Sequence, residues 1–166
     1  MKNNYNWGVS HTTKLSNSKN ELWDTISKRS NLELFHPYCK KNPCIKWDKS
    51  KSVDEVHYFN DLVYKRYFCN WVDSVGYDLL IGNNEKDLSY VSWRIKGNDS
   101  ISELTITIYP YIFNKGLKLI DFIPFFLIIK PGLRKYLKNI GLGLKYYFKH
   151  QKPVKKNQFS THKWFS

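Results

Sequence analysis

The sequence predicts an α+β protein in which a curved antiparallel β-sheet of about six or seven strands wraps around one long C-terminal α-helix. Three observations predict this fold: an alternating first strand, two short helices directly after it, and a series of alternating segments that ends before a basic amphipathic helix. Successive strands joined by short turns form antiparallel meanders. With 166 residues, of which 42% are hydrophobic, the chain is expected to form one domain spanning 1–166.

The first strand is predicted at 5–15, where residues alternate between two sides. One side holds Trp7, Val9, His11, Thr13 and Leu15, and the other holds Ser10, Thr12 and Lys14. The segments SKNE at 18–21 and SNLE at 30–33 both have the capping-box pattern, in which a serine precedes a glutamate by three residues. They predict the starts of two short helices. Pro37 ends the second one, because the residue before a proline avoids helical angles.

The middle of the chain alternates with a period of two, which is typical of strands with one buried face. Strands are predicted at 44–47, 54–59, 62–72, 76–82, 89–96 and 101–111. The dipeptide Asn60-Asp61 suits a hairpin turn between two of them.

Residues 117–129 (LKLIDFIPFFLII) break this alternation, and the run is too short to span a bilayer. Pro131 is predicted to occupy the first position of the last helix, which runs from 132 to about 149. Its predicted buried stripe is Leu133, Leu137, Ile140 and Leu144, with Lys135, Lys138 and Lys149 exposed. Gly141 and Gly143 are unfavourable inside a helix, so they predict a close approach to the sheet or space for a ligand.

The formal charge of +13 makes nucleic acid, anionic membranes and acidic ligands candidate partners. The segment 115–156 holds eleven Lys or Arg and one acidic residue, Asp121, a balance of +10. Beside the apolar 117–129 run, these cations suit an anionic lipid surface. The candidate membrane contacts are Phe122, Phe125, Phe126 and Lys130. The alternative is a buried connector beside a solvated helix face, and no nucleic acid partner is expected because no binding motif is present.

Three cysteines without regular spacing argue against a disulfide framework. The first residues, MKNNYNWGVSHTT, lack the apolar core of a signal peptide, so a cytoplasmic protein, or one peripheral to a membrane, is expected. His36, Cys39 and Cys44 have roughly metal-like spacing, but no fourth ligand follows them. No metal and no cofactor are predicted, and no catalytic triad or phosphate-binding loop can be assembled.

Several segments resemble the START-like helix-grip superfamily, specifically its polyketide cyclase/dehydrase and lipid-transport (SRPBCC) group. They are the first strand with the following ELWDTIS, FHPYCKKNP, LVYKRYFCNW, SYVSWRI, and ELTITIYP before the long helix. The resemblance implies a cavity between sheet and helix that binds hydrophobic small molecules. It also implies a binding protein instead of an enzyme, since only a minority of members are enzymes.

Arg66 is the main candidate binding residue, because the alternation of its strand places it on the inner face opposite Lys65. A buried guanidinium needs a partner. It can bind the acidic group of a ligand bidentately, or pair with an internal Asp or Glu.

The other candidate ligand-binding residues are apolar or aromatic residues on inner faces and one histidine. They are Tyr58, Tyr64, Phe68, Trp93, Ile106, Leu137, Ile140 and His11. For His11 the alternative is a core histidine. His36 is placed between the second helix and the strands, where it either guards the cavity entrance or caps the helix. An apolar void of a few hundred cubic ångströms is expected between helix and sheet.

The sequence therefore favours a carrier or sensor of a hydrophobic small molecule that can bear an acidic group. The first alternative is a cyclase or aromatase that acts on a bound polyketide-like chain, with Arg66, His11 or a pocket tyrosine as polar catalyst. The second is a peripheral membrane protein that chaperones a lipid without chemistry.

Overall fold

The computed structural model describes residues 4–166. It contains one antiparallel sheet, curled into a half-barrel around the C-terminal helix. Seven strands follow the order β1-β8-β7-β6-β5-β4-β2, and β3 pairs with β4 beside this path. The strands are β1 Val9–Leu15, β2 Cys39–Lys41, β3 Cys44–Lys46, β4 Val53–Tyr58, β5 Val63–Val72, β6 Gly76–Gly82, β7 Ser89–Gly97 and β8 Ser102–Tyr109. The predicted fold class is confirmed, and β2 is an additional strand that the sequence did not predict.

The first strand begins later than predicted, at Val9 instead of residue 5. The reason is Asn114, whose side chain accepts from the Trp7 backbone N–H at 2.6 Å and donates to the Trp7 carbonyl at 2.6 Å. These bonds replace the ladder that β8 provides from Val9 onward.

The two short helices are α1, Lys19–Ile26, and α2, Leu32–Phe35. The capping box of α1 is present, because the Glu21 N–H donates to Ser18 Oγ and the Ser18 N–H donates to Glu21 Oε2. The second capping box, predicted at 30–33, is wrong. Ser30 has a left-handed φ of 54°, whereas a capping residue is normally extended. Glu33 instead accepts the backbone N–H of Asn42 at 2.7 Å.

The C-terminal helical segment is longer than predicted. It comprises α3 Lys118–Pro124, one wide π-helical turn Phe125–Ile129, and α4 Lys130–His150, without a break. Pro131 does lie in the first turn of α4, one residue after its start, but the continuous helical segment already begins at Lys118. In the wide turn the Lys130 N–H donates to the Phe125 carbonyl five residues earlier, so the regular bond ladder is already shifted where Pro131 lacks its N–H.

Helix α4 presents its apolar stripe to the sheet as predicted: Leu133, Leu137, Ile140 and Leu144 are buried, and Lys135, Lys138 and Lys149 are exposed. The two glycines mark close approaches. A Cβ on Gly143 would lie 1.9 Å from the Phe35 carbonyl oxygen, and one on Gly141 would lie 2.2 Å from Thr13 Oγ1. Only glycine allows α4 to lie this close to α2 and β1.

Aromatic side chains fill the part of the concave surface next to α1. We call this set the aromatic cluster: Trp23, Trp47, Phe68, Trp71 and Tyr77. Tyr77 stacks on Trp93 with ring centroids 5.5 Å apart, and Trp93 forms the border of the cluster. The Tyr77 hydroxyl donates to the Ile26 carbonyl at 3.2 Å, which ties the cluster to the end of α1.

Candidate ligand-binding cavity

A cavity of about 390 Å³ lies beyond Trp93, between the sheet and α4. Strands β4 to β8 form its floor, α4 forms its roof, and α2 and the C-terminal residues close its sides. Most of the lining is apolar, from side chains such as Val56, Leu79, Val91, Ile108 and Leu133. The volume falls in the range expected from the sequence and within the range of small-molecule sites.

Seven of the predicted ligand-binding residues line this cavity. They are Tyr58, Tyr64, Arg66, Trp93, Ile106, Leu137 and Ile140. Their shared position follows from the strand alternation and the helical stripe, which direct these side chains to the same interior.

Two predicted residues do not line the cavity. Phe68 is on the inner face of β5 but packs in the aromatic cluster, with its ring centroid 5.1 Å from that of Tyr77. His11 lies against α4 at Gly141, outside the cavity. Partial burial and the nearby charges of Lys138 and Lys145 lower the pKa of His11, which therefore favours the neutral ring.

Arg66 is buried in an internal ion pair. Its Nε and Nη2 donate to the two carboxylate oxygens of Asp54 at 2.7 and 2.5 Å, and both residues are at most 2% exposed. Nη2 also lies 3.4 Å from Asn31 Oδ1 and from Asn42 Oδ1. Burial opposes the charged guanidinium, but the Asp54 carboxylate outweighs this effect and the pKa of Arg66 is raised. The internal partner that the sequence left open is thus present, and it neutralises the charge.

His36 contributes the polar part of the wall, together with two tyrosines. His36 Nε2 lies 2.7 Å from Tyr136 Oη, and Tyr136 Oη lies 3.1 Å from Tyr58 Oη. All three residues are buried and line the cavity. Burial, with the charge of Arg66 as the second cause, lowers the pKa of His36 to about 3. Burial also raises the pKa of both tyrosines.

The C-terminal residues close one side of the cavity. Phe165 stacks on Tyr58 with ring centroids 4.6 Å apart, and Trp164 packs on Gly132. His162 Nε2 lies 3.0 Å from the Gly132 carbonyl, which fixes this segment to the start of α4. Sequence analysis did not identify Tyr136, Trp164 or Phe165 as site residues. Tyr136 could have been found from its spacing, since it lies three residues after Leu133 and four before Ile140.

The cavity opens where its lining residues become exposed, at Ile112, Phe113 and Ile128. This mouth adjoins exposed apolar residues of α3 and the wide turn, which we call the outer face of α3. It consists of Leu117, Leu119, Ile120, Phe122, Ile123, Leu127 and Ile128. Asp121 points away from it and accepts the Gly116 N–H at 2.9 Å.

The four candidate membrane contacts are divided by this arrangement. Phe122 is exposed on the outer face, and Lys130 lies over the half-buried ring of Phe126 at 4.4 Å. The assignment of Phe125 to a membrane surface is wrong. Its side chain is 1% exposed because it turns inward and packs on Trp7, with ring centroids 5.0 Å apart.

Residues 4–166 contain no group of three or more His, Cys, Asp or Glu side chains placed to hold a metal ion. Within the same residues, no helix is long and apolar enough to cross a membrane.

No protein-family model and no curated protein matches the sequence. Solved structures do match. XoxI from Bacillus cereus has a TM-score of 0.63 at 12% identity, over 87% of this chain and 96% of that one. A START superfamily protein from Mycobacterium smegmatis has a TM-score of 0.63 at 10% identity, over 87% and 99%. The di-domain ARO/CYC BexL has a TM-score of 0.63 at 7% identity, over 86% of this chain and 47% of that protein. The chain has the START-like helix-grip fold.

Proposed function

We propose that the protein binds and carries a hydrophobic small molecule in the cavity beneath α4. The single observation that carries the proposal is the apolar cavity of about 390 Å³ with a mouth at one end and a few polar groups on its wall. Two structural neighbours, named as a START superfamily protein and an ARO/CYC, are consistent with a ligand in this part of the fold.

The polar groups of the wall support binding over acid–base catalysis. A general acid or base works best with a pKa near the operating pH. His36, with a pKa of about 3, stays neutral at pH 7, and both tyrosines stay protonated because their pKa values are raised. Arg66 is already paired with Asp54. None of His36, Tyr58 and Tyr136 therefore has a pKa near 7, which favours binding over the cyclase alternative.

Binding of diphenylhexatriene, a fluorescent hydrocarbon, tests the proposal. We expect saturable binding with one probe per protein. Leu137→Trp should block it, because Leu137 lines the cavity and is 1% exposed. Ile101→Trp is the matched control, since Ile101 is exposed and outside the cavity lining. Absence of saturable binding by the wild-type protein, or equal binding by both variants, would reject the cavity as the site. Native mass spectrometry of protein from its own host would then identify the ligand.

The outer face of α3 supports a second proposal, that the protein loads its ligand at an anionic membrane surface. Leu119, Ile123 and Leu127 are 92%, 64% and 72% exposed. Contiguous exposed apolar residues, unlike single scattered ones, indicate an interaction surface. The face reaches the mouth at Ile128, which also lines a second depression together with Lys135 and Lys163. Apolar side chains flanked by cations complement an anionic bilayer.

Liposome co-sedimentation tests this second proposal. Each basic residue near an anionic surface contributes about 1 kcal/mol, and salt screens this attraction over about 8 Å at physiological ionic strength. We therefore expect sedimentation with phosphatidylserine vesicles, less with added salt, and loss in Leu119→Asp. Ile101→Asp, at the exposed residue just before β8, is the control. Equal sedimentation with neutral vesicles would contradict the proposal, as would a dimer in solution that Leu119→Asp dissociates.

A further inference from the structure

In the chain of contacts from His36 through Tyr136 to Tyr58, the ring nitrogen of His36 that carries the proton can be assigned. His36 Nδ1 accepts the backbone N–H of Tyr38 at 3.3 Å. A ring nitrogen that accepts cannot carry the proton, so the neutral imidazole is protonated at Nε2. The lowered pKa of His36 is consistent with this neutral form. The Nε2–H therefore donates to Tyr136 Oη, 2.7 Å away.

A count of hydrogens shows that this chain is incomplete. The three side chains supply three donors: the His36 Nε2–H and the two tyrosine O–H groups. The structure offers them two contacts, His36 to Tyr136 and Tyr136 to Tyr58. If Tyr136 donates to Tyr58, the Tyr58 O–H is left over; if Tyr58 donates to Tyr136, the Tyr136 O–H is left over. Among residues 4–166 neither hydroxyl has another hydrogen-bond partner.

The surplus O–H belongs to a cavity-lining residue in either case. A buried donor without an acceptor is costly, so the wall favours a ligand that supplies one. A water molecule is a poor substitute, because a buried water needs two to four polar partners and most of this lining is apolar. A carboxylate is also a poor match. It would be buried without an unpaired cation, since Asp54 already neutralises Arg66.

Given the proposed carrier function, on which this inference rests, we propose that the ligand is a neutral hydrophobic molecule with one acceptor oxygen. A ketone, aldehyde or ester carbonyl accepts the surplus hydroxyl hydrogen of the Tyr58–Tyr136 pair. The rest of the ligand is apolar and lies against the branched side chains of the sheet. This assignment replaces the acidic ligand that Arg66 suggested from the sequence.

The hydrogen count makes an uncommon mutational prediction. Tyr58→Phe removes one hydroxyl. The His36 Nε2–H still donates to Tyr136 Oη, and the Tyr136 O–H is then the donor without an acceptor. Tyr58→Phe/Tyr136→Met removes the surplus, because the Met thioether is a weak acceptor for the His36 Nε2–H and no hydroxyl is left. Tyr67→Phe is the control, since Tyr67 lies on β5 but is not part of the cavity lining.

The measurement is competition of 2-undecanone and undecane against diphenylhexatriene, with the ratio of their dissociation constants compared between proteins. The preference for the ketone should persist in Tyr58→Phe and Tyr67→Phe. It should fall about 2- to 10-fold in Tyr58→Phe/Tyr136→Met, the range typical of one net hydrogen bond. An unchanged ratio in all proteins would overturn the inference, as would tighter binding of undecanoate than of 2-undecanone at pH 7.

Infrared spectroscopy of 2-undecanone bound to the wild-type protein gives a test that needs no variant. A hydrogen-bonded carbonyl should absorb at lower frequency than the same ketone in hexane, and an unshifted band would refute the inference. The two proposals fail differently. If the probe binds but the ketone shows no hydrogen bond, only the acceptor assignment is lost; if the probe itself does not bind, the carrier function is lost.

Discussion

The two halves of the concave surface are built on the same strands, yet one is filled and the other is open. On β5, Phe68 belongs to the aromatic cluster and Tyr64 to the cavity. On β7, Ile95 packs in the core and Val91 lines the cavity, with Trp93 between them. The filled half is packed by the five rings of the aromatic cluster, whereas the open half combines aliphatic side chains such as Val56 and Val91 with the rings of Tyr58 and Tyr64. The packing of side chains along one continuous inner face thus differs between its two ends.

The border between the halves is a charged pair as well as a ring. Arg66 lies between Tyr64 and Phe68 on β5, and its guanidinium is 5.3 Å from the centre of the Phe68 ring. Asp54 holds it from β4, where the two residues are register partners. A paired guanidinium at this position supports the end of the cavity without offering it a net charge.

Removing one member of the Arg66–Asp54 pair should have the largest effect on stability. Arg66→Ala leaves Asp54, which is 0% exposed, as an uncompensated buried carboxylate. We expect a loss of about 3–5 kcal/mol in the free energy of unfolding, measured by urea denaturation. The double variant Arg66→Met/Asp54→Leu should lose much less, since replacing a buried pair by apolar residues is often nearly neutral. If Arg66→Ala had the same denaturation midpoint as the wild-type protein, the Arg66–Asp54 pair would not stabilise the fold.

Enlarging one residue in each half compares their packing directly. Ile95→Phe should cost about 1–3 kcal/mol, because a well-packed core resists added volume. Val91→Phe, on the same face of the same strand, should cost little, since its ring can enter the cavity. It should also abolish diphenylhexatriene binding, whereas Ile95→Phe should retain it. Equal destabilisation of both variants would mean that the two halves are equally filled.

Acid should weaken the cavity half through His36. The unfolded chain protonates this histidine near its ordinary pKa of about 6.5, while the folded protein does so only near 3. Between these values lowering the pH favours unfolding, and His36 contributes about 1.4 kcal/mol of lost stability per pH unit. His36→Gln should reduce the slope of unfolding free energy against pH by one proton over this window. Equal slopes of unfolding free energy against pH in the wild-type protein and in His36→Gln would contradict a buried, neutral His36 ring.

Local patterns were sufficient to predict the fold. The alternation of the strands and the stripe on α4 identified the inner faces, and Leu137, Ile140, Tyr64 and Trp93 reached the cavity for that reason. Phe68 shows the limit of this inference, because alternation selects a face of the sheet but not a position along it. Which half a residue occupies depends on the neighbouring strands and helix.

The polar part of the site could not be predicted, because it depends on contacts between distant segments. His36 and Tyr136 are 100 residues apart in the chain, and Phe165 reaches Tyr58 only after the last segment folds back. The partner of Arg66 was predicted only as a type of residue. Asp54 is identified by the pairing of β4 with β5, which the alternating pattern alone does not fix.

The wide turn at Phe125–Ile129 keeps two helices in phase. A regular α-helix advances about 100° per residue, so residues 121 and 133 would differ by about 120° in direction. A turn closed over five residues instead of four absorbs about 100° of this difference. Asp121, Phe125, Ile129 and Leu133 therefore all point inward. Deleting one residue from this turn would rotate α3 about its axis and carry its outer face away from the cavity mouth.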